Sequence, residues 1–95
     1  MIRAARVDSN QPEIVTALRK VGCVVVIVSQ LKNLCDIAVL RAGVTYWMEI
    51  KDGTKPPSQR KLTPGELKCK SDFESVGVAY NIVNSIDEAL HIINN

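Results

Sequence analysis

The chain is 95 residues long, room for one small domain. Its 46% apolar and 23% charged residues, with a net charge of +2, exclude a disordered tail, a collagen-like repeat and a low-complexity segment. The β-branched run Val24–Val28 falls far short of the roughly 20 residues of a membrane helix. The basic start Met1-Ile2-Arg3-Ala4-Ala5-Arg6 has no apolar stretch behind it, so neither a membrane span nor a signal peptide is expected.

Asn10-Gln11-Pro12-Glu13 reads as a helix start, with Asn10 as cap, Pro12 in the first turn and Glu13 as a capping-box carboxylate. Ile14, Val15, Leu18 and Val21 follow at helical spacing, and Gly22 suits the stop. Cys23–Val28 has no polar interruption and predicts a strand covered on both faces. Asp36–Arg41 and Val44–Lys51 predict two strands joined by a two-residue Ala42-Gly43 turn, an antiparallel hairpin. Asp52–Ser58 is a loop on its Gly and Pro content.

Thr63-Pro64-Gly65-Glu66 is a complete helix-start signal, with Leu62 and Leu67 spaced for a hydrophobic staple. That helix should run to about Glu74. Val78–Val83 reads as a strand, and Ser85 with Glu88 as a capping box for a last helix, Ile86 to about Ile93. The expected order is α-β-β-β-α-β-α. A helix between two strands permits parallel pairing, so the predicted class is α/β: a mixed central β-sheet flanked by helices in a single domain, residues 1–95.

Cys23, Cys35 and Cys69 are odd in number and widely spaced, and His91 is the single histidine. A Cys/His zinc site is not expected. The cysteines read as small apolar residues in a reducing, cytoplasmic setting. His91 reads as structural or solvated, and Cys69, between Lys68 and Lys70, would favour its thiolate if exposed. The segment from Lys51 to Lys70 carries six bases against two acids. On charge alone it is a solvated face, or a surface for a polyanion.

The hairpin holds the pattern with chemical content. With Arg41 and Val44 flanking the turn, Asp36 lies opposite Glu49, and opposed side chains share a face with Cβ atoms roughly 4.5–5.5 Å apart. Lys51, two residues on, points to that same face. Trp47 shares it too, with core packing as its expected role. Two carboxylates so close repel unless a cation lies between them, and an oxygen-seeking divalent ion such as Mg²⁺ suits that place. A metal, a water and a neighbouring ammonium are the parts needed to hydrolyse a phosphodiester. The plainer reading of these residues is a cross-strand salt bridge.

From about Gln11 to Ile93 the arrangement resembles the PD-(D/E)XK nuclease superfamily. It is most similar to the small stand-alone VRR-NUC domains found in phages, which are Holliday-junction-resolvase-like. The resemblance is carried by Asp36, by Glu49-Ile50-Lys51, by Asp52-Gly53 and by the Leu62-Thr63-Pro64 helix start. It implies a restriction-endonuclease-like fold in which Asp36 and Glu49 ligate Mg²⁺ (with Mn²⁺ able to substitute). Ile50 would add its main-chain carbonyl, and Lys51 would be the catalytic lysine. Glu13 would match an early glutamate near the metal. Lys55, Gln59, Arg60 and Lys61 would approach the DNA backbone, an expectation that charge shares.

The resemblance further implies a homodimer that cuts branched DNA such as four-way junctions in the cytoplasm, the host cell's if phage-encoded. Val76, Val78, Tyr80 and the last helix are interface candidates. Cys35 stands where the motif has proline, and Glu66 stands near a glutamine of the second helix. The contrasting expectation is a non-catalytic DNA-binding or assembly subunit that keeps a nuclease-like fold.

Overall fold

The computed structural model describes residues 8–94; the basic start Met1–Arg6 lies outside them. Its elements are α1 (Gln11–Lys20), β1 (Val24–Ile27), β2 (Ile37–Arg41), β3 (Val44–Ile50), a 3₁₀ turn (Pro57–Gln59), α2 (Pro64–Ser75), β4 (Tyr80–Val83) and α3 (Ile86–Ile93). The class is α/β. A four-stranded mixed sheet runs in the order β1-β2-β3-β4, antiparallel from β1 to β3 and parallel between β3 and β4.

The hairpin register comes from its turn. Ala42 and Gly43 both sit in the left-handed region, at φ 51° and 80°, as a two-residue turn between twisted antiparallel strands requires. Pairing then runs from Arg41↔Val44 to Ile37↔Met48. One step further, the Asp36 N–H donates to the Met48 carbonyl (3.1 Å) and the Val28 N–H to the Asp36 carbonyl (2.9 Å). Asp36 is thus tied to both neighbouring segments in a bend just before β2.

Helix α2 supplies the long crossover that a parallel β3–β4 pair needs. Its start is a full capping box: the Glu66 N–H donates to Thr63 Oγ1 (3.2 Å) and the Thr63 N–H to Glu66 Oε1 (2.9 Å). Leu62 joins the core while Leu67 is 54% exposed, so the expected Leu62–Leu67 staple does not seat this helix. Asn10 makes no cap bond to α1. Its Nδ2 donates instead to the carbonyls of Lys51 (3.0 Å) and Asn84 (3.3 Å), which ties the start of α1 to the ends of β3 and β4. Ser85 caps α3 through the Glu88 N–H, but the Glu88 carboxylate reaches one residue further back, to the Asn84 N–H.

Two clusters fill the two sheet faces. Ile14, Val15 and Leu18 of α1 and Ala89 and Ile93 of α3 pack on Val25, Ile37, Val39, Met48, Ile50 and Val83. On the other face Cys35, Cys69 and Tyr80 pack with Leu34, Trp47, Leu62 and Phe73. All three cysteines are free and buried, and burial raises the Cys69 thiol above its ordinary pKa, which removes the favoured thiolate.

β1 departs from expectation. It is an edge strand, and of its four residues only Val25 is buried; Val24, Val26 and Ile27 are 45–58% exposed. Val24 and Val26 lie on the α2 face, where that helix packs mainly on β4, whereas Ile27 lies on the α1 side beside Val15 and Arg19. A continuous β-branched run cannot distinguish a doubly covered strand from an edge. Arg19 of α1 reaches across this edge, where its Nη2 donates to the Val25 carbonyl (2.9 Å).

Candidate active site

The free end of the hairpin, beyond the Ile37↔Met48 pair, is where charge gathers. Asp36, in the bend before β2, and Glu49 line the same clefts, with Lys51 two residues past Glu49. The Ile50 N–H donates to Asp36 Oδ2 (2.7 Å). In an extended residue N–H and C=O point to the same side of the strand. The Ile50 carbonyl therefore faces the Asp36 side, past the point where β2 has begun.

Glu49 is the most enclosed charged group here, 4% exposed. Its Oε2 lies 3.5 Å from Lys51 Nζ. Its Oε1 lies 3.3 Å from the Tyr80 hydroxyl. Lys51 Nζ also donates to Glu66 Oε1 at 3.0 Å. The capping oxygen of α2 therefore doubles as a partner of the lysine. Two carboxylates, Glu49 and Glu66, thus flank one ammonium, and Asp36 lines the same cleft.

The electrostatics follow from burial and crowding. Burial, then the charges of Asp36 and Glu66, push the Glu49 carboxyl up to about 9 against the pull of Lys51. Burial also raises Asp36, more than its bond from Ile50 lowers it. Burial pulls Lys51 down, but the Glu66 bond and the Glu49 charge outweigh it and hold the ammonium above its ordinary range. Burial raises Glu66, but the Thr63 and Lys51 bonds win and keep it low. Burial and mutual repulsion thus both act to keep this pair of acids from being fully ionised.

A divalent ion fits this donor set. Mg²⁺ is commonly held by one or two carboxylates plus waters and substrate phosphates. Asp36 and Glu49 supply two carboxylates, and Ile50 a carbonyl on the same side. Among the described residues no group of three or more His, Cys, Asp or Glu side chains is arranged as a metal cage, so the ion would depend on water and substrate for its remaining ligands.

Around the acids lies a cleft of about 540 Å³ whose wall includes Asp8, Lys55, Gln59 and Thr63. Lys55 and Gln59 thus join the predicted carboxylates. Glu13 and Arg60 do not: they line a separate cleft of about 550 Å³ with Asp52 and the start of α3. Glu13 sits in the first turn of α1, beside Asn10 on the wall of that cleft. Arg60 turns there to donate to Asn84 Oδ1 (3.3 Å). Lys61 is exposed. Further along the basic run, Lys68 and Lys70 pair with Asp72 and Glu74 on α2.

Glu66 and Tyr80 are site residues that the sequence reading assigned elsewhere, Glu66 to a cap and Tyr80 to an interface. The capping box was a usable signal for Glu66, because it fixes that carboxylate at the mouth of α2. Tyr80 had none, since only the parallel Trp47↔Tyr80 register brings it beneath Glu49. Trp47 packs edge-on against Phe73, in the core role expected of it. No known protein family, curated protein or solved structure matches this chain.

Proposed function

We propose that the protein is a divalent-metal-dependent endonuclease of restriction-endonuclease-like fold. It hydrolyses phosphodiester bonds in DNA, with Mg²⁺ as its ion and Mn²⁺ as a substitute. One observation carries the reading: Asp36 and Glu49 share the wall of one open cleft, with Lys51 Nζ 3.5 Å from Glu49. A structural ion pair needs one acid, whereas Lys51 here meets two, Glu49 and Glu66, with Asp36 on the same cleft wall.

When bound, the ion would acidify a water and neutralise phosphate oxygens. Asp36, Glu49 and the Ile50 carbonyl would hold it. Lys51, kept protonated by Glu66 and Glu49, would bear charge that develops on the phosphoryl oxygens. Lys55 and Gln59, exposed on the cleft wall, would position the backbone. Branched DNA, four-way junctions above all, and a homodimeric state belong to the proposal through the resemblance. A two-fold dimer would set two sites against the paired strands of a symmetric junction.

The test offers the purified chain linear duplex, flap and four-way-junction DNA with Mg²⁺, with Mn²⁺ and with chelator. Cleavage should need metal, and Lys51→Ala or Glu49→Ala should slow it by at least about 100-fold with the fold intact. Parent-like cutting by either variant removes the site assignment.

The near-complete burial of Glu49 is the observation on the side of a non-catalytic DNA-binding or assembly subunit. In that reading the protonated acid pair is a structural hydrogen bond. A catalytic site gains thermal stability with Mn²⁺, and a scaffold does not.

A further inference from the structure

Tyr80 opens β4 directly behind the acid pair and is 6% exposed. Its hydroxyl lies between two oxygens, 3.3 Å from Glu49 Oε1 and 3.2 Å from the Leu34 carbonyl. The carbonyl can only accept, and a phenol has one proton to give. Leu34 alone would satisfy a buried tyrosine, so Glu49 is an alternative acceptor for the same proton, favoured when that side chain is ionised.

The ring has little freedom to leave. Phe73 of α2 packs edge-on against it, centroids 5.7 Å apart at 82°, and Trp47 of β3 packs edge-on against Phe73 at 5.6 Å. Three rings from three elements thus set where the hydroxyl sits. Each Glu49 oxygen then has a neighbour, Oε1 the phenol and Oε2 the Lys51 ammonium. A terminal carboxylate torsion is otherwise soft and broad.

We propose that Tyr80 is a positioning residue for the metal carboxylate: its hydroxyl fixes the plane of Glu49, so that the chain presents a preset ligand toward Asp36 and the cleft. The assignment rests on the metal-site reading above and adds a residue to it. Partners one step removed from a metal typically change its affinity 10- to 100-fold when lost.

Tyr80→Phe keeps the ring and its packing and removes only the hydroxyl. Titration calorimetry with Mn²⁺ should show a Kd weakened by about 10-fold or more. Cys69→Ala, which trims the same buried cluster without touching the hydroxyl, should leave Kd within about 2-fold, inside the range of a surface change. A Tyr80→Phe protein that binds Mn²⁺ as tightly as the parent overturns the proposal. So does an equal loss in Cys69→Ala, since packing alone would then explain the effect.

A second measurement needs no metal. In chelator, the thermal stabilities of Tyr80→Phe, Glu49→Leu and the double variant form a cycle, with near-ultraviolet circular dichroism confirming that each folds. The double variant should lose less than the two single losses combined. Strict additivity means that the hydroxyl and the carboxylate ignore each other, and it ends the proposal. A parent that takes up no Mn²⁺ overturns the metal-site reading and, with it, Tyr80 as the support of a metal ligand. The cycle then still reports whether the two side chains are coupled.

Discussion

On the α1/α3 face of the sheet, Ile37, Val39, Met48, Ile50 and Val83 are sealed from solvent under two helices. On the α2 face, the same strands leave Val24, Val26 and Leu40 partly bare and carry Glu49 and Lys51 at one end. The difference lies in the cover. Two helices span the first face; one spans part of the second and ends in a capped turn beside the acids. Stability is therefore concentrated on one side, and the other is free to hold costly charge. Each residue of the β2–β3 hairpin contributes to one side or the other by the parity of its position.

The largest expected effect breaks the closed side. Met48→Ala or Ile37→Ala removes a fully buried side chain and should cost about 2–5 kcal/mol in urea unfolding. Val26→Ser, on the bare part of the other face, should stay within about 0.5 kcal/mol. Similar losses on both faces would mean that α2 covers more of the sheet than the structure shows.

A second effect is specific to the charged end. Glu49 keeps its proton up to about 9 when folded, against an ordinary carboxyl value of 4.5. The folded chain thus holds more protons than the unfolded chain across that window, and stability falls as pH rises through it. In chelator the melting temperature should decline from pH 5 to pH 9, and Glu49→Gln should flatten the decline. Each kcal/mol lost lowers the melting temperature of a domain this size by about 4–8 °C. A parent curve that rises with pH would show that Glu49 is ionised in the folded state. The smallest effect sharpens the contrast from outside both faces: Lys68→Ala breaks an exposed ion pair with Asp72 and should change stability by no more than about 0.5 kcal/mol.

The hairpin and the position of its acids were legible in the sequence. Ala42-Gly43 dictates a two-residue turn, the turn dictates the register down to Ile37 and Met48, and Asp36 and Glu49 follow directly beyond that pair on one cleft wall. The capped start of α2 was legible for the same reason, because Thr63, Pro64 and Glu66 act over a single turn. What escaped depends on distant parts of the chain. Cys23–Val28 reads as buried because its composition carries no record of which strand lies at the edge. Asn10 was expected to cap α1, yet carbonyls more than 40 residues away compete for its amide. Tyr80 gains its place only after α2 has carried the chain back beside β3.

The exposed valines of β1 make a surface on which further strands could grow, one chain stacking on the next. Arg19 occupies one of the acceptors such growth would use. An incoming strand would have to dislodge a charged group that prefers water, and it would leave that charge facing its own backbone. Among the described residues Arg19 is the side chain bonded along that margin, and its loss would leave the Val25 carbonyl open to an incoming strand.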